Sequence, residues 1–298
     1  RTKVQLSYGS SSDYLPSKTL MLPVDKQNVL RSGIVAEKDK DLIVDTVYIK
    51  LSGDYLNKGE LMIVDMLSNY DWTRPIYLTQ PYIFQKFGLV DYLQFDGYAY
   101  RFVPILTPYR QAGEVGRIDP EYAVPLLLDV FRYGNLDDEK VYSDYFTQYN
   151  LSAARARAAK ELIRRGDEKP NFPDSLGITE ATNRELAIRL LDEGMRRMPP
   201  AQVRYTSNNT LPFIEAYYAA GAADKGDALM LDYARNLMEY VDYYFQFDGW
   251  QYDSITDALD EKLDLLGNLY SMAGYLKRDA VLTELNAYYR SLGVTEEE

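Results

Sequence analysis

Residues 224–247 read DKGDALMLDYARNLMEYVDYYFQF. Ala228, Leu231, Ala234, Met238, Val241 and Phe245 recur three or four residues apart, so one apolar stripe should run along an amphipathic helix. Just before it stands Ala220-Gly221, and the charged turn Asp224-Lys225-Gly226-Asp227 leads in. A similar succession follows, Ala273-Gly274 and then Lys277-Arg278-Asp279-Ala280-Val281. An earlier one, Arg165-Gly166-Asp167-Glu168-Lys169, reads as a third copy. A small residue, a glycine, a charged turn and an alanine are what closely packed helix pairs of tetratricopeptide type require. Gly166, Gly221 and Gly274 are 55 and 53 residues apart, against roughly 34 in a regular tetratricopeptide array. Irregular helical hairpins with long loops are therefore expected.

Working outward, helical spacing continues over about 141–166, 179–198, 210–221, 253–274 and 278–292. The second of these carries Ala187, Leu191, Met195 and Met198 on one side and is ended by Pro199-Pro200. Asp119-Pro120 has the form of a helix start, an acid before a proline in the first turn, and 133–138 (YGNLDD) reads as a loop. Upstream the pattern changes. In IVDTVYIKL (43–51), Val47, Ile49 and Leu51 alternate with Tyr48 and Lys50, a strand signature. Lys58 to Asn69 places Leu61, Val64, Met66 and Leu67 at nearly helical spacing, and Ile76 to Thr79 reads as a short strand. Gly97 to Leu106 is aromatic and β-branched on both faces, so a strand covered on both sides is expected, with Pro104 marking an edge or a bulge. The boundary between the halves is expected in the segment Gly113 to Gly116.

Composition excludes whole classes of chemistry. The chain of 298 residues has no cysteine and no histidine, which removes Cys/His zinc sites, Ser-His-Asp and Cys-His nucleophiles, and haem held by a His or Cys ligand. With 33 Lys+Arg against 45 Asp+Glu the net charge is −12, which repels phosphate backbones, so no nucleic-acid partner is expected. Phosphate-binding glycine signatures are absent, and no cofactor or metal is predicted. Lack of cysteine fits an oxidising compartment. The chain begins at Arg1 instead of Met, so a fragment or processed product is expected.

Three features remain as candidates. Asp253, Asp257, Asp260 and Asp264 share one helical face; four successive turns cannot converge on one ion, and a solvated acidic face is the expected reading. Tyrosine is in excess, 28 residues against 10 Phe and 2 Trp, and the excess peaks between Tyr217 and Tyr252. Tyr217 and Phe245 lie on apolar stripes and are expected in the core. Tyr243, Tyr244, Trp250 and Tyr252 bracket the loop Gln246 to Gln251 and form the candidate surface for a ligand or partner, since such rings bind peptides and sugars. Finally, Trp72-Thr73-Arg74-Pro75-Ile76-Tyr77 suggests a structural lock of Trp72, Arg74 and Tyr77, a cation–π corner before a strand.

Four stretches carry a family resemblance: SKTLMLPVDK (17–26), LMIVDML (61–67) leading into WTRPIY (72–77), YLQFDGYAYRFVP (92–104) and GNLDD (134–138). They resemble the soluble C-terminal region of a Bacteroidetes family of multi-spanning membrane proteins of unknown function. Those proteins have a membrane domain similar to lipid-linked-sugar glycosyltransferases, and eukaryotic relatives look like protein O-mannosyltransferases with a tetratricopeptide-like tail. The resemblance implies catalytic acids in membrane-side loops outside this chain, so no catalytic residue is carried over onto any position here.

The expectation is thus an α+β part, residues 1–116, followed by an all-α, tetratricopeptide-like part, residues 117–298. The expected role is a noncatalytic domain on the periplasmic side of the inner membrane, within a membrane-anchored glycosyltransferase-like protein. It would dock on its own N-terminal membrane domain and recognise an acceptor protein or glycan. Two other classes compete: a glycan- or peptide-binding module of a surface lipoprotein, and a carboxylate-dependent glycosidase with two carboxyl groups ~5–9.5 Å apart.

Overall fold

In the computed structural model, the alternation at Val47, Ile49 and Leu51 becomes β2 (Thr46–Leu51), paired antiparallel with β1 (Lys18–Pro23). Leu22 faces Val47 and Leu20 faces Ile49, and this side is turned to the core, while Met21 and Tyr48 pair on the exposed side. Residues described are 18–51, 56–106, 115–132, 153–168, 180–199 and 207–293. A second antiparallel sheet has the order β3 (Tyr77–Leu78), β5 (Tyr100–Phe102), β4 (Leu93–Phe95). The strand expected over 97–106 is therefore only three residues long and lies at the centre of its sheet, not at an edge. Pro104 falls beyond its end, where no N–H is needed, and its carbonyl accepts from the Val44 N–H at 3.0 Å.

Short helices close this part. α1 (Lys26–Arg31) is capped by the Asp25 carboxylate. α2 (Lys58–Ser68) begins with a reciprocal cap: Asn57 accepts from the Glu60 N–H and Glu60 accepts from the Asn57 N–H. Glu60 remains buried because Lys86 also donates to both of its oxygens at 2.9 Å. Val64 and Leu67 join the core, whereas Met66 is exposed beside Met62 on the opposite side. The apolar face of α2 is thus narrower than its spacing suggested. α3 (Tyr82–Lys86) follows, and α4 (Pro120–Pro125) starts as expected, with Asp119 accepting from the Glu121 N–H. One core cluster joins Val47, Ile49, Leu67, Trp72, Phe84, Phe87, Leu93 and Phe102.

Two compact units divide between Asp129 and Val130; the expected boundary was 113–116. Residues 117–121 are held on the first unit by Arg117, which pairs with Asp39, and by Lys38, 3.0 Å from Asp119 and 2.8 Å from Glu121.

All regular structure described in the second unit beyond residue 150 is helical: α5 (Ala153–Glu168), α6 (Glu180–Arg197), α7 (Ser207–Ala219), α8 (Ala223–Tyr244), α9 (Gly249–Tyr275) and α10 (Asp279–Ser291). The expected loop 133–138, and the start of the helix expected from 141, lie outside the described residues. Each helix packs on the next in sequence, and α5 on α7 and α8 on α10 as well, which makes the unit a run of helical hairpins. Local contacts of this kind build a core without distant strand pairing.

The glycines locate the joints, though not where the letters matched. Gly166 lies inside α5, and a Cβ there would overlap Asn183 Nδ2, so it permits a close helix approach and is not a turn. Gly221, at φ +81°, ends α7; its N–H reaches the Tyr218 carbonyl and that of Ala222 reaches the Tyr217 carbonyl. The same two bonds recur after α9, from Lys277 to Gly274 and from Arg278 to Ala273, with Lys277 at φ +56°. Gly274 is therefore still helical, and the two turns match three residues out of step with the Ala-Gly pairs.

The buried arc of α8 only partly follows the expected stripe. Of that stripe Ala234, Met238 and Val241 are buried, joined by Met230, Tyr233 and Leu237, while Ala228 is exposed and Leu231 half-buried. Three partners, α7, α9 and α10, cover this helix, so its buried arc is wider than one stripe. Phe245 lies past the last helical residue and is 49% exposed, not in the core.

Candidate functional site

The end of α8 collects the aromatic candidates. Tyr240 and Tyr244 are one turn apart with ring centroids at 6.2 Å. Tyr243 lies 5.9 Å from Tyr244 and meets Phe247 edge-on at 5.1 Å. Tyr243 is 53% exposed, and Tyr244 and Phe247 are half-buried. A ladder of rings therefore leads from the helix into the turn 245–248, with Tyr243 and Phe245 outermost. The backbone of Trp250 and Tyr252 lies in the first turn of α9, but their side chains lie outside the described ones. Tyr217, by contrast, is buried and donates to Asp192 at 3.1 Å. Burial and the neighbouring Asp192 charge push its hydroxyl well above the ordinary tyrosine range.

Acids surround this corner. Glu239, one helical turn before Tyr243, is exposed, as are Asp242, Asp248 and Asp253. Asp242 accepts from the Tyr288 hydroxyl at 2.7 Å. Further along α9, Asp257, Asp260 and Asp264 are exposed too, and among the described residues no group of acids is placed to hold a metal ion.

In the first unit, Trp72 is fully buried at φ +63°. Its ring lies 4.6 Å from Tyr70 and stacks on Phe102 at 5.2 Å, and its Nε1 donates to the Pro23 carbonyl at 2.9 Å. Arg74 is exposed, its carbonyl accepting from the Tyr70 hydroxyl at 2.6 Å. Tyr77 is 48% exposed. Burial and a hydrogen bond with Tyr122, against the opposing charge of Arg101, push the Tyr77 hydroxyl up to about 12.

Among the described residues of this unit, a cation–π contact is made not by Arg74 but by Arg101, whose guanidinium lies 4.5 Å over the Tyr122 ring. Arg101 is buried; it stands 2.9 Å from Asp96 Oδ2 and donates to the Gly33 carbonyl at 2.9 Å. Gln94 donates to Asp96 at 2.9 Å and accepts from Arg117 at 2.9 Å. Burial raises the Asp96 carboxyl above its ordinary value, with Arg101 and Gln94 pulling the other way. Lys38, Arg101 and Arg117 thus alternate with Asp39, Asp96, Asp119 and Glu121 in a clasp that ties β4 and β5 to the start of α4. Sequence reasoning missed it. The available signal was a pair of polar side chains two apart, Gln94 and Asp96, on one face of an otherwise apolar strand.

Comparison with known proteins addresses this unit. Residues 1–122 match the family model described as TMEM260-associated domain 2. The match ends at Tyr122, the ring that covers Arg101, and so spans nearly all of the first unit, which ends at Asp129. The stretch is thus similar to a domain that accompanies TMEM260. No curated protein and no solved structure matches the chain. Among the described residues no helix is long and apolar enough to cross a membrane.

Proposed function

We propose that this chain is an extracytoplasmic accessory part of a membrane-anchored glycosyltransferase-like protein, on the periplasmic side of the inner membrane. Its first unit docks on the membrane domain, and its helical hairpins hold the acceptor, a protein or a glycan. The observation that carries this reading is the match of residues 1–122 to a domain associated with TMEM260. The helical unit supports it with a run of tilted and edge-on aromatic rings ending in the exposed Tyr243, the kind of ring surface on which peptides and sugars are held. Chemistry is assigned to the membrane domain, in keeping with the family resemblance of residues 17–138. The test is to determine the coding sequence upstream of Arg1 and to map which side of the membrane the chain occupies with a compartment-dependent reporter. Several long apolar spans upstream and a periplasmic reporter signal are expected. A lipobox cysteine in place of those spans, or a cytoplasmic signal, refutes the reading.

A further inference from the structure

The outer end of the α8–α9 hairpin combines two properties that do not usually coincide. Its rings are exposed: Tyr243 by 53% and Phe245 by 49%. Its charge is of one sign: residues 236–261 hold Glu239, Asp242, Asp248, Asp253, Asp257, Asp260 and Glu261 and no lysine or arginine. Cations elsewhere on these helices are already engaged. Lys225 is paired with Asp192, Arg235 is bound bidentately by Glu284, and Lys262 is paired with Glu261. Glu239 and Asp248 make no ion pair among the described residues, and Asp248 does not cap α9 with its side chain.

We infer that this corner is a docking surface for a cationic, extended peptide segment rich in lysine or arginine. The inference rests on the reading of the helical unit as the acceptor-holding half and specifies what that acceptor presents. Charge complementarity selects the occupant. An ammonium or guanidinium group gains from the face of an exposed aromatic ring and from carboxylates one turn away at once. Glu239 and Tyr243, four residues apart on one side of α8, present that pair. A neutral sugar would stack on the ring but draw nothing from the excess of negative charge, and an anionic one would be repelled. An extended segment suits the site better than a folded surface, because the rings follow one another along the helix into the turn.

The test uses the intact 298-residue chain and a fluorescein-labelled 12-residue peptide of Lys, Gly and Ser, read by anisotropy at low salt. A Gly/Ser peptide of the same length is the control, and an array of neutral oligosaccharides is the second arm. The Lys peptide is expected to bind, the control not. Replacing the ring by Tyr243→Ala should weaken binding about threefold, and Glu239→Gln with Asp248→Asn about fivefold, the sizes exposed cation–π and ion-pair contacts support. Raising the salt to 0.5 M should abolish most of the affinity, since exposed charges are then screened within a few ångström. These side chains are exposed, so unchanged thermal melts of the variants confirm that folding is intact. Equal binding of both peptides, or Lys-peptide binding untouched by the variants and by salt, overturns the inference. Tyr243-dependent binding of an oligosaccharide without the Lys peptide overturns the inference and leaves the acceptor-holding reading standing. Binding of neither probe contradicts both.

Discussion

Replacing Arg101 by methionine should be strongly destabilising for the first unit. The guanidinium is buried against the Asp96 carboxylate, hydrogen-bonded to the Gly33 carbonyl, and laid over Tyr122. Methionine fills similar space but leaves a buried carboxylate without its counter-charge, a loss that runs to about 3–5 kcal/mol. A unit of this size is stable by roughly 5–15 kcal/mol, so a loss of about 4 kcal/mol is a large part of the whole. The consequence has a sign in pH. Asp96 is already raised by burial, and without Arg101 it rises further. The folded state then binds a proton that the unfolded state releases above its ordinary value near 3.8, so the variant should regain stability as the pH falls toward that value. Adding Asp96→Asn removes the stranded charge, and the double variant should be more stable than Arg101→Met alone by about 2 kcal/mol or more. The assay is urea unfolding followed by Trp72 fluorescence in a Trp250→Phe background, since Trp72 lies 5.2 Å from Phe102 in the same core. A loss below about 1 kcal/mol at pH 7, or a double variant no better than the single, refutes the view that Arg101 organises this clasp.

Two further changes examine the helical unit. A Cβ at Gly226 would stand 2.9 Å from the Tyr218 ring, which cannot retreat freely because its hydroxyl donates to Asp227 at 2.6 Å. Gly226→Ala should therefore destabilise by about 1–3 kcal/mol by crowding, despite the better helix propensity of alanine, as measured by thermal or urea unfolding; an unchanged or raised stability contradicts the tight α7–α8 contact. Hydrogen bonds from Arg196 and Arg197 hold the Glu193 carboxyl at about 2 instead of near 4.5. Its contribution is present above pH 4.5 and lost as the pH falls toward 2; partial exposure limits it to about 1 kcal/mol. The stability gap between the native chain and Glu193→Gln should thus close over that range, and a gap independent of pH would show that the pair is not formed.

How far the sequence could be read depended on how local the governing forces are. The helices of the second unit were legible because period and capping are decided within a few residues: α6, α8 and α10 begin and end within a few positions of their expected bounds. Which side each helix buries was less legible, because that depends on how many neighbours cover it. On α8 three neighbours widened the buried arc and left Phe245 outside it. The repeat of Ala-Gly pairs was misleading for a related reason: a left-handed cap is a backbone state, taken by Gly221 in one turn and by Lys277 in the other. In the first unit, β2 and α2 were legible from alternation and helical spacing, while β1 and β4 were not, since Leu20, Met21 and Leu22 put apolar side chains on both faces of β1 and β4 has only three residues. The clasp around Arg101 joins positions far apart in the chain, such as Lys38 and Asp119, 81 residues apart, and no local pattern announces such a pairing. The aromatic candidates at the end of α8 were visible because they crowd together in sequence, and there the fold keeps Tyr243, Tyr244 and Phe247 in ring contact.

The claim that the helical unit holds an acceptor is tested most directly in cells that make the whole parent protein. Total glycan transferred to secreted proteins would be measured in the native strain and in one carrying Tyr243→Ala and Trp250→Ala, with the level of the parent checked by immunoblot. The account predicts a several-fold drop in transferred glycan at an unchanged parent level. Transfer equal to that of the native strain would contradict it.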